Sequence, residues 1–146
     1  MLNMEDVKAI KGPAKFTCYG LGSCVGLFIH DRVAGVSGGA HIFLPEKLHH
    51  SGALSKGAKE CMDHLLESMK QLGSDLKTLR AKVIGGASLG TQTGKKISDE
   101  VVSYLVQNSV FIAAQDLGGN MSRTVHFNSE TGEAEVSTSE RKKYIL

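Results

Sequence analysis

Glycine sets the strongest constraint on how this chain can fold. Between Gly12 and Gly39 it recurs at positions 20, 22, 26, 35 and 38, punctuating three short runs rich in apolar and β-branched residues: Phe16 to Tyr19, Val25 to His30 and Val36 to Leu44. Runs of this length and composition, bounded by turn residues, predict strands. The gaps between them are too short for a helical crossover, so neighbouring strands here must be joined by tight connections and the sheet must be at least partly antiparallel. Pro45 predicts the end of the third strand.

Downstream the period changes. Leu54, Ala58, Cys61, Leu65, Met69 and Leu72 recur every three or four residues, which predicts a helix from about Ser55 to Leu72 with one apolar face and Gly73 as its stop. Val83 and Ile84 read as a strand leading into Gly85-Gly86-Ala87-Ser88, and a second helix is predicted from Asp99 to Asn108, with Ser98 as cap and Asp99 and Glu100 in its first turn. Val110 to Ala114 reads as a strand, and Arg123 to Phe127 and Glu133 to Thr138 as a hairpin around Asn128 to Gly132. The order predicts one α/β sandwich spanning residues 1–146, with 1–13 and 140–146 as segments expected to fray.

Composition narrows the function. A chain of 146 residues can bury a single core. Seventeen basic against fifteen acidic residues leave a formal charge of +2, which argues against nucleic acid or an anionic membrane as a partner recognised by charge alone. No apolar run is long enough to span a bilayer and the start lacks the apolar core of a signal peptide, so a cytoplasmic location is expected. Three cysteines, Cys18, Cys24 and Cys61, are an odd number with no short paired spacing, so neither a disulfide framework nor a zinc site is expected. The adjacent His49 and His50 read as an exposed loop.

The chemistry concentrates at Gly20-Leu21-Gly22-Ser23-Cys24, where a thiol follows a strand and two small residues. Gly22 and Ser23 let a substrate amide approach the backbone, and the N–H groups around Ser23 and Cys24 are candidates to hold an oxyanion. His41, framed by Gly38-Gly39-Ala40 and an apolar run, lies on a strand that can return it to the thiol, where imidazole can accept and return a proton. The competing readings are a buried structural thiol and a hydrogen-bonded core histidine. A third group should orient the imidazole, and Thr17 and Cys18 are the candidates; on a regular strand they face opposite sides, so only one can point at His41.

Four ordered blocks carry a resemblance: Gly-Leu-Gly-Ser-Cys-Val at 20–25, Ala-His followed by Leu-Pro at 40–45, Lys82 with Gly-Gly-Ala-Ser at 85–88, and Asp116 with Gly-Gly-Asn at 118–120, then Arg123 and Val125. Together they resemble the bacterial chemoreceptor glutamine deamidases called CheD. The resemblance implies a three-layer α/β sandwich and a Cys, His, Thr triad, with Cys24 and His41 at matching positions and no cofactor. The third position, six residues before the cysteine, is Cys18 here; either Cys18 takes it, a bulge re-aims Thr17, or the pair works as a dyad. Asp99-Glu100 stands where the family usually has Arg-Asn, and Gly57-Ala58-Lys59 where it has Tyr-Ala-Asp.

The implied substrates are glutamines, and as a second class methyl glutamate esters, on the cytoplasmic domain of methyl-accepting chemoreceptors. A chemotaxis phosphatase of the CheC type is the implied partner. The rival expectation is a non-catalytic adaptor that keeps the fold to bind that phosphatase or the receptor helices.

Overall fold

A helical layer and two sheets stack in the order helices, sheet, sheet. The computed structural model describes residues 1–4, 6–46, 48–50 and 53–146, with the side chains of 48–50 and 53–55 outside the description. The strands are β1 (Val7–Lys11), β2 (Lys15–Leu21), β3 (Val25–Asp31), β4 (Val36–Ile42), β5 (Leu48–His50), β6 (Ala53–Ser55), β7 (Arg80–Gly85), β8 (Phe111–Leu117), β9 (Arg123–Asn128), β10 (Glu133–Thr138) and β11 (Lys143–Ile145). The helices are α1 (Ala58–Gln71) and α2 (Thr93–Gln107).

The middle sheet has the order β1-β4-β3-β7-β8, antiparallel except for the β7–β8 pair, and the outer sheet has the order β11-β10-β9-β2. The predicted α/β sandwich with a mixed sheet is therefore the fold observed. The parallel β7–β8 pair is joined by a helical crossover, α2.

Every residue of β3 and β4 is buried because both faces of the middle sheet are covered. Val25, Leu27 and Ile29 of β3 and Ala81 and Val83 of β7 face the helices, meeting Cys61, Leu65, Met69, Ile97 and Val101. The alternate residues Phe28 and Ile84 face the outer sheet and pack with Phe16, Leu21, Val125, Phe127 and Val136. Period two along each central strand thus feeds two separate cores.

Several boundaries differ from the sequence reading. Helix α2 begins at Thr93, not Asp99; Ser98 is not its cap but lies inside it, its hydroxyl donating to the Gly94 carbonyl at 2.8 Å. Asp99 and Glu100 consequently sit mid-helix on the exposed face, where Asp99 pairs with Lys95 at 2.8 Å. Polar residues 93–96 hid the first turn, which is seated by contact of Gly94 with the Gly86–Ala87 backbone rather than by apolar packing. Helix α1 starts at Ala58 with Gly57 as cap, and Ser55 belongs to β6. His49 and His50 lie on β5, paired with β6, rather than in a loop; their side chains fall outside the described residues.

The segments expected to fray carry strands. Val7–Lys11 pairs along β4 and Lys143–Ile145 along β10, both as edge strands whose lysines weaken the apolar signal.

Candidate active site

Cys24 sits where the chain leaves one sheet for the other: β2 of the outer sheet ends at Leu21 and β3 of the middle sheet begins at Val25. The crossing is held from below by the loop after β7. The Gly86 N–H donates to the Cys24 carbonyl at 2.8 Å and the Ala87 N–H to the Gly22 carbonyl at 2.9 Å. That loop is braced by Arg123, whose guanidinium donates to the Asp116 carboxylate at 3.1 and 3.3 Å, to the Gly85 carbonyl at 3.3 Å and to the Gly118 carbonyl at 2.8 Å. Tyr144 donates to the same carboxylate. The blocks at 85–88 and 116–123 therefore brace the loop that carries the thiol.

His41 lies on β4 opposite Gly26, on the face turned towards the outer sheet. It and Cys24 line one cavity of about 290 Å³, together with Met1 to Met4, Tyr19 and Gly20. Gly22, Ser23 and Cys24 are all half-buried, so the loop carrying the thiol is open to a ligand on one side. Burial raises the Cys24 thiol above its ordinary value, with its own backbone N–H pulling the other way. The neutral thiol is thus the resting form, and forming the thiolate calls for a base.

The two candidates for the third group part company. Strand β2 does contain a bulge, but it falls between Cys18 and Leu21, where Gly20 has a φ of +59°. It brings Leu21 into the core and leaves Thr17 facing outwards, its hydroxyl hydrogen-bonded to Nδ1 of His126 at 3.0 Å. The bulge does not re-aim Thr17. Cys18 points inwards, is fully buried between the sheets, and has its thiol pushed up to about 12, chiefly by burial and then by the neighbouring Cys24.

The atom bonded to the His41 ring is one that sequence reasoning missed: Nδ1 lies 2.9 Å from the main-chain carbonyl of Leu2. A backbone acceptor has no residue-type signature, and by sequence the N-terminal segment is expected to fray.

Taken together, fold and site define a three-layer α/β sandwich that presents a thiol and an imidazole to one cavity. The family model described as CheD chemotactic sensory transduction matches residues 43–138. Relatives extend the likeness across the residues that precede that stretch. A probable chemoreceptor glutamine deamidase CheD of Desulfitobacterium hafniense is 36% identical over 146 residues, covering 94% of this chain and 91% of the relative. The chemoreceptor glutamine deamidase CheD of Thermotoga maritima is 32% identical over 136 residues, covering 90% and 87%. A probable chemoreceptor glutamine deamidase CheD of Clostridium kluyveri is 33% identical over 147 residues, covering 94% and 91%. The chain belongs to the CheD family.

Proposed function

We propose that this protein deamidates glutamine side chains of methyl-accepting chemoreceptors by acyl transfer through Cys24. The observation that carries the reading is the shared cavity of Cys24 and His41, and the names of the relatives supply the substrate class. His41 takes the thiol proton, and the Cys24 sulfur attacks the side-chain carbonyl of a receptor glutamine. The backbone around Gly22 and Ser23 receives the developing oxyanion. As the tetrahedral intermediate collapses, the C–N bond breaks, His41 returns its proton to the nitrogen, and ammonia leaves a thioester. Water, relieved of a proton by His41, hydrolyses that thioester to glutamate and the free thiol.

The same sequence applied to a methyl glutamate ester releases methanol in place of ammonia, which makes such esters a second substrate class. The reaction takes place in the cytoplasm, on the receptor's cytoplasmic domain, and a CheC-type phosphatase is the proposed partner. Incubating the protein with a purified receptor cytoplasmic fragment should add about one mass unit per converted glutamine, read by mass spectrometry. Binding of the fragment without any mass gain would instead support a non-catalytic adaptor.

A further inference from the structure

The N-terminal segment grips His41 at two points. Nδ1 of the ring is 2.9 Å from the Leu2 carbonyl, and the main-chain N–H of His41 donates to the Asp6 carbonyl at 3.1 Å. Between them the segment is cross-tied: the Asn3 N–H donates to the Asp6 carboxylate at 2.8 Å and the Asp6 N–H to the Asn3 carbonyl at 2.9 Å. Leu2 itself is fixed on two sides. Its N–H donates to the Thr17 carbonyl at 2.7 Å, and its side chain is 1% exposed in the core between the sheets. Gly39 makes room for it, since a Cβ there would lie 2.7 Å from Leu2 Cδ1.

A carbonyl oxygen accepts and cannot donate, so this contact is a hydrogen bond only when Nδ1 carries the proton. In the neutral ring Nε2 is then bare, the form required of a base towards a thiol. A hydroxyl in this place could serve either tautomer; a carbonyl serves one.

We propose that the Leu2 main-chain carbonyl is the positioning group of this site, holding His41 in the Nδ1–H tautomer with Nε2 as the proton acceptor. This rests on the deamidase reading for its consequence in turnover, though not for the tautomer itself. Thr17 contributes through its main chain, by seating Leu2, rather than through its hydroxyl.

The test is the ¹⁵N spectrum of the His41 ring in the intact protein, recorded with the ring neutral. A protonated Nδ1 with a bare Nε2 is expected; a protonated Nε2 overturns the proposal. Leu2→Ala, which unseats the segment, should move the ring towards the Nε2–H tautomer and lower kcat about 10-fold or more at little-changed KM, the size typical of lost orienting partners. Leu2→Met, which refills the core, should restore both. Unchanged tautomer and kcat in Leu2→Ala would also overturn it. Deamidation by an intact protein carrying the Nε2–H form would sink the Leu2 proposal alone, and the Nδ1–H form without deamidation would uphold the clamp and sink the deamidase reading.

Discussion

At the scale of single residues, the proposed mechanism needs a base for a thiol that burial raises, and His41 lines the same cavity. Removing the imidazole in His41→Ala should therefore slow turnover at least about 100-fold, the usual span for a general acid and base, with the fold checked by circular dichroism. A loss of less than about 10-fold would assign the base role elsewhere. Cys18 tests the alternative third group. If its position oriented His41, Cys18→Thr should raise turnover by supplying a better hydrogen-bonding group. With Nδ1 bonded to Leu2, the variant is expected to give no increase and to lose about 1–3 kcal/mol of stability, since it buries a hydroxyl among apolar neighbours. Faster turnover in Cys18→Thr would return the orienting role to that position. That Cys24 and His41 meet in one cavity was legible because glycine frames them in sequence. The Leu2 carbonyl was not, because every residue carries one and only the fold decides which is used.

At the scale of elements, strand existence was legible where a short run bounded by turn residues met a sheet covered on both faces, as in β3 and β4, or where alternation met one buried face, as in β9, and helix α1 from its apolar stripe. What failed was the start of α2, which depends on glycine at a backbone contact. A Cβ on Gly94 would lie 2.3 Å from the Ala87 carbonyl oxygen and 2.7 Å from the Gly86 carbonyl group. Neither neighbour can rotate away, because Gly86 and Ala87 also hold the Cys24 and Gly22 carbonyls. Gly94→Ala should thus cost about 1–3 kcal/mol by urea denaturation, and it should change the rate at which Cys24 is alkylated. A variant as stable as the parent, with an unaltered alkylation rate, would disconnect α2 from the thiol loop. The edge strands β1 and β11 were missed for a different reason: half-exposed strands with lysine on their rims resemble loops in composition.

At the scale of the whole molecule, no helix among the described residues is long and apolar enough to cross a membrane. Away from the cavity, His30 is 3% exposed and neither ring nitrogen has a partner among the described residues. Burial, and then the charges of Arg32, Lys82 and Arg80, lower it from 6.5 to about 4, against a smaller opposing pull from Asp31. The folded protein holds His30 neutral while the unfolded chain takes up a proton below 6.5, so this contribution to stability is complete above 6.5 and is lost as pH falls towards 4. Thermal melts across that window should fall more steeply for the parent than for His30→Leu; parallel curves would remove His30 from the acid response. Whether the cavity thiol is the nucleophile is decided by the mass of a receptor cytoplasmic fragment after incubation with the parent protein and with Cys24→Ser. The parent is expected to add about one mass unit per converted glutamine and the variant, folded by circular dichroism, to add none, whereas a mass gain retained in Cys24→Ser would take the nucleophile role away from Cys24.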